Sequence, residues 1–179
     1  MEKKNTFFSE MVSPVLVLVI ICLVAAALLG YTNGLTAPII EQAEIEAQME
    51  TNKTVLPDAT EFTQLELTDD ITALGVSAIY EGDNNTGYVV IAAANGYGGA
   101  VTCTVGFDAD GKILRVEADV SGETQGVGSK VGVQENMLDK FIGLSGDVSD
   151  VSLRTGATLT SNAVRGAVNA ACQAVAAIQ

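Results

Sequence analysis

The sequence predicts an α+β protein: a single N-terminal transmembrane helix followed by a domain of antiparallel strands with flanking helices. Three observations predict it. Met11 to Tyr31 is an unbroken apolar run, about the 20 residues a helix needs to cross a bilayer. From Ala78 to Val116 short β-rich segments alternate with turn residues, without a regular strand–helix alternation. Near the C-terminus, Val164, Ala167, Val168, Ala171, Val175 and Ile178 recur at helical steps, with Asn162, Arg165, Asn169 and Gln173 on the opposite face.

Taken in order, residues 1–10 read as a cytoplasmic tail and residues 11–31 as the span. Lys3 and Lys4 precede the run and no basic residue follows until Lys53. The positive-inside rule therefore places the N-terminus in the cytoplasm and the C-terminal domain across the membrane. Pro14 falls in the first turn, where it is tolerated. Ala25-Ala26-Ala27 imitates a signal-peptide cleavage site, but the apolar run continues through Leu28 and Leu29, which favours a retained anchor. Residues 32–76 form a juxtamembrane helical segment. Within it, residues 32–38 read as a turn-rich exit, and residues 39–54 are acidic with good helix formers.

Residues 77–179 form the main domain. Ala78-Ile79-Tyr80 and residues 87–92 flank the turn Gly82-Asp83-Asn84-Asn85, as a hairpin would. Residues 96–99 form a glycine-rich loop, and 101–107 the next strand. Asp108-Ala109-Asp110-Gly111 turns the chain into residues 112–116. A second glycine-rich loop covers residues 122–128, and residues 137–142 predict a short helix.

Composition excludes several functions. The 179 residues carry 22 acids against 9 bases, a net charge of −13, which disfavours nucleic acid as a partner because phosphate binding needs clustered Lys or Arg. There is no histidine, so Ser-His-Asp and Cys-His catalysis and imidazole metal ligation are excluded. No acidic cluster has EF-hand spacing. Neither catalytic residues nor metal ligands are expected, and any hard chemistry would come from something the protein binds. Cys22, Cys103 and Cys172 are scattered. An oxidising compartment would allow a Cys103–Cys172 bridge, although such cysteines are more often buried thiols.

The most informative local pattern is Thr155-Gly156-Ala157-Thr158-Leu159-Thr160-Ser161, hydroxyl residues on a tight turn before a helix. The first helical turn has unpaired N–H groups and the positive end of the dipole, a natural seat for a phosphate. Thr160 or Ser161 can cap that helix. The local pattern leaves two readings open, a plain capped helix and an anion site.

In this order, behind one apolar run, these motifs resemble the G subunit of Rnf complexes, which are membrane ferredoxin:NAD oxidoreductases. That family is related to the C subunit of the sodium-pumping NADH:quinone oxidoreductase, and both carry the covalent FMN-binding domain. The resemblance rests on Thr36-Ala37-Pro38-Ile39, Gly96-Tyr97-Gly98-Gly99, Val105-Gly106-Phe107-Asp108 with Gly111-Lys112-Ile113, Gly122-Glu123-Thr124-Gln125-Gly126-Val127-Gly128, and T-G-A-T-L-T-S-N-A-V. It implies FMN joined through its phosphate to Thr158 by a separate flavin transferase that uses FAD. It further implies a cofactor site of Thr155, Gly156, Ala157, Leu159, Thr160 and Ser161, with Glu123, Thr124, Gly126, Tyr97 and Gly98. Glu123 would lie against the flavin or its phosphate, or else be a solvated loop acid. Tyr97 would stack near the ring, or simply pack. Two positions depart from the family pattern: Ser152 stands where an acid is usual, and Gln125 where a proline is usual.

The resemblance implies an electron-transfer subunit of an ion-translocating complex, without stand-alone catalysis. Its expected partners are the other Rnf membrane and iron–sulfur subunits, the flavin transferase and membrane lipid. The cell (inner) membrane is the expected location, with a single span. Two alternatives stand beside this reading: a free-standing membrane-anchored extracellular flavoprotein reductase, and a non-redox anchored binding domain.

Overall fold

The computed structural model describes residues 12–179; the tail expected over residues 1–10, with Lys3 and Lys4, lies outside them. Contacts divide the chain into a unit ending at Ala47 and a compact unit, Gln48–Gln179. Helix α1, Ser13–Val55, is unbroken over 43 residues. Among the described residues it is the one helix long and apolar enough to cross a membrane. Its apolar side chains from Val15 to Leu29 are exposed on all sides, the pattern of a helix whose solvent is lipid.

The expected turn at residues 32–38 is not there: the helix runs through it and contains Pro38. Thr32 Oγ1 donates to the Leu28 and Leu29 carbonyls, and Thr36 Oγ1 to those of Thr32 and Asn33. These residues, read as punctuation, point their hydroxyls back into the helix and so do not compete with it.

In the compact unit, β1 (Phe62–Gln64), β2 (Val76–Gly82), β3 (Tyr88–Asn95), β4 (Ala100–Phe107) and β5 (Ile113–Asp119) form one antiparallel sheet in sequence order. A short helix α2, Asp69–Ala73, joins β1 to β2. Neither β1 nor α2 was expected; both are too short to give a periodic signal. The β2–β3 turn places Asn84 and Asn85 at positive φ (55° and 58°), which asparagine tolerates. At the β4–β5 turn Asp108 Oδ1 accepts from the Asp110 and Lys112 N–H groups at 3.0 and 2.8 Å. That is the Asx geometry the Asp-Ala-Asp-Gly sequence predicts.

Alternation sorts the side chains between the two faces. Val90, Ala92, Val101, Cys103, Val105, Phe107, Ile113 and Val116 share a buried cluster with α3, Thr158–Ile178. Alanines at 163, 167, 170, 171 and 174 are buried on α3, and such small side chains let a helix sit close on a sheet. On the other face Val55, Leu56 and Ala59 cover Val89. Gly106 is required there, because a Cβ would strike the Val55 carbonyl oxygen. The helix expected over residues 137–142 is a 3-10 turn, Leu138–Phe141, which buries its first and last residues. Cys103 and Cys172 are free, buried thiols. Burial pushes Cys103 up to about 12. Cys172 is pushed up to about 11, mainly by burial and slightly by the nearby Asp147 charge, against a smaller opposing hydrogen bond.

Candidate functional site

Three segments meet at the N-terminus of α3: the 96–99 turn between β3 and β4, the 122–128 loop after β5, and residues 156–160. They enclose a cavity of about 330 Å³, at the small end of the roughly 300–1,000 Å³ typical of ligand pockets. Its walls are Tyr97 from the first segment, then Glu123, Thr124, Val127 and Gly128, then Gly156, Ala157, Thr158, Leu159 and Thr160. Tyr97 is 73% exposed and Leu159 58%, so an apolar rim surrounds the opening. Sequence reasoning placed eight of these residues at the site and omitted Val127 and Gly128, though it had marked their loop. Four expected residues are not on the wall. Gly98 touches the back of Glu123, Gly126 and Thr155 are exposed nearby, and Ser161 is buried beneath.

The helix is not capped as expected. α3 starts at Thr158 with Ala157 at the N-cap and no side-chain cap bond. Both expected caps are engaged elsewhere. Thr160 Oγ1 donates to Glu123 Oε2 at 2.7 Å, and Ser161 Oγ accepts from the Arg154 N–H at 3.2 Å. Thr160 and Ser161 are 2% and 0% exposed, whereas Thr155 and Thr158 are exposed. Gly156 sets the turn with φ +85°, a conformation that favours glycine. Upstream, Arg165 Nη1 donates to the Ser149 and Val151 carbonyls at 2.7 and 3.4 Å, pinning the approach to the turn. Lys140 Nζ donates to Ser152 Oγ at 3.0 Å.

Glu123 is buried, not solvated. Its Oε1 accepts from the Tyr97 and Gly98 N–H groups at 2.8 and 3.0 Å. Burial raises its pKa. The bonds from Thr160, Gly98, Tyr97 and Gly99 together outweigh burial and hold it below the ordinary value of 4.5. A folded-state pKa below the unfolded one contributes stability that is fully present above pH 4.5 and is lost as pH falls through the folded value. Urea unfolding is therefore expected to be level near neutrality and to weaken on acidification below that pH. Glu123→Gln should make the acid limb shallower; an unchanged limb counts against this linkage.

The donor set suits a phosphate-bearing, largely apolar ligand. An exposed hydroxyl opens a helix whose first N–H groups have no intrahelical acceptor. An anion there gains about 0.3–1 kcal/mol from the dipole. The fold and the site define an FMN-binding-domain protein behind a long apolar helix. Residues 96–173 match the FMN-binding domain model, and residues 1–55 the RnfG N-terminal region model.

The G subunit of the Na(+)-translocating ferredoxin:NAD(+) oxidoreductase complex of Acetobacterium woodii is 30% identical, over 88% of each chain. Its counterpart in the ion-translocating oxidoreductase complex of Methanosarcina acetivorans is also 30% identical, over 94% of this chain and 96% of its own length. In the proton-translocating ferredoxin:NAD(+) oxidoreductase complex of Clostridium ljungdahlii, the G subunit is 28% identical over 88% of each chain. The chain belongs to the G-subunit family of Rnf complexes.

Proposed function

We propose that this chain is an electron-transfer subunit of a membrane ion-translocating ferredoxin:NAD oxidoreductase complex and holds FMN as a phosphoester on Thr158. One observation carries the attachment: of the cavity's two threonines with a hydroxyl near the α3 terminus, Thr158 is exposed, whereas Thr160 is buried and donating to Glu123. In the attachment reaction a bond forms between Thr158 Oγ1 and the flavin-side phosphorus of FAD. The pyrophosphate bond breaks, AMP departs, and the threonine proton is released. A flavin transferase supplies the catalysis, which agrees with a chain lacking histidine.

The α3 N-terminus then faces the remaining phosphate charge. Tyr97, Val127 and Leu159 offer an apolar surface to the ring. When bound, FMN supplies one- and two-electron carriage. Covalent attachment suits a domain outside the cytoplasm, where a loosely held cofactor would be lost. The lysines before α1 put the N-terminus inside and the compact unit outside. Val15 to Leu29 contains no charged residue, so ion movement falls to partner subunits.

Expression with a flavin transferase tests the attachment. The chain should give a fluorescent band on a denaturing gel after boiling, and a dark band refutes covalent flavin. Purification from native membranes tests the setting. Recovery with several multi-span and iron–sulfur subunits supports the complex, whereas a lone chain with reductase activity favours the free-standing alternative.

A further inference from the structure

We infer that Glu123 is a positioning residue for the flavin, fastening the 96–99 turn to α3 so that Tyr97 is held at the cavity mouth beside Thr158. The inference rests on Thr158 as the attachment point. Glu123 reaches the cavity wall, yet both of its oxygens serve the protein: Oε1 holds the Tyr97 and Gly98 N–H groups, and Oε2 holds the Thr160 hydroxyl. These partners lie 25 to 37 residues from Glu123 in sequence, so one carboxylate joins all three walls.

The glycines make room for it. A Cβ at Gly96 would strike Glu123 Oε1, and one at Gly128 would come within 2.7 Å of Oε2 and 3.0 Å of Thr160 Oγ1. Glycine at these two positions therefore serves the carboxylate. Tyr97 is too exposed for packing to fix it, so its placement depends on the bond to its own backbone N–H. Accepting from several groups at once suits a carboxylate, which has no proton to donate.

The full chain, labelled with a flavin transferase and purified in detergent, is compared as wild type, Glu123→Ala, Glu123→Gln and Thr160→Val. Peptide mass spectrometry locates the flavin. Visible circular dichroism and iodide quenching of flavin fluorescence report how the ring is held, and far-ultraviolet dichroism reports folding. In Glu123→Ala and Thr160→Val the expected results are loss of the visible dichroism and quenching that rises to that of free FMN. Glu123→Gln should keep most of the signal. Its amide oxygen can accept from Tyr97 and Gly98, while its NH₂ donates to a rotated Thr160 hydroxyl.

Wild-type dichroism and quenching in a folded Glu123→Ala overturn the inference. If that variant does not fold, the near-isosteric Thr160→Val decides in the same way. A flavin found on another residue overturns the attachment reading alone, and the ring measurements still judge Glu123. A wild type without flavin overturns both.

Discussion

Replacing Thr158 with alanine is expected to abolish the fluorescent band completely, while Thr158→Ser keeps it and Thr155→Ala leaves it unchanged. The expectation follows from access. A transferase must bring a phosphorus atom to the acceptor oxygen, and Thr158 presents that oxygen at the cavity edge. Thr160 is two residues on, but the residue is 2% exposed and its hydroxyl donates to a carboxylate. Ser161 is fully enclosed. Thr155 is exposed but stands off the cavity wall. Serine at 158 keeps the nucleophilic oxygen and loses a methyl group. A band that survives Thr158→Ala and disappears in Thr160→Ala would move the attachment one half-turn into the helix and contradict the burial argument.

The second large effect concerns the platform beneath the site. Phe107 is fully buried in the cluster shared with α3, next to the β4–β5 irregularity at Gly106. Truncating such a ring to alanine removes its burial and leaves a cavity, typically at a cost of about 3–5 kcal/mol. A domain this size has roughly 5–15 kcal/mol in all. Phe107→Ala is expected to lower the Tm of the compact unit by about 10–15 °C. Leu159→Ala is the contrasting variant. Its side chain is 58% exposed, so the Tm should stay within about 2 °C of wild type. Equal losses in the two variants would mean that Leu159 is packed in solution.

Legibility in the sequence followed the range of the interactions. β2 to β5 and α3 could be read because alternation and helical periodicity are written locally, and Asp108 marks its own turn. Continuity of α1 through Gly34 and Pro38 could not be read, because the signals for a turn were present and only the surrounding helix decides how the threonine hydroxyls are used. At the site, the cavity wall formed by residues 156–160 was legible from its motif. The state of Glu123 was not: its partners Tyr97, Gly98 and Thr160 are distant in sequence, so a buried acceptor and a solvated acid look alike. The same distance misled the capping expectation, since Thr160 gives to Glu123 the hydroxyl that a local reading assigns to the helix.

The order of the strands bears on how the protein is made. All five strands precede α3, so the apolar sheet face is complete before its cover exists. α3 is finished roughly 60 residues after β5, a delay of about 3–12 s at ordinary rates of translation. During that interval the nascent chain displays Val90, Val105 and Phe107 without α3 over them, a natural target for a holding chaperone. Thr158 emerges at the head of the helix that ends this exposure.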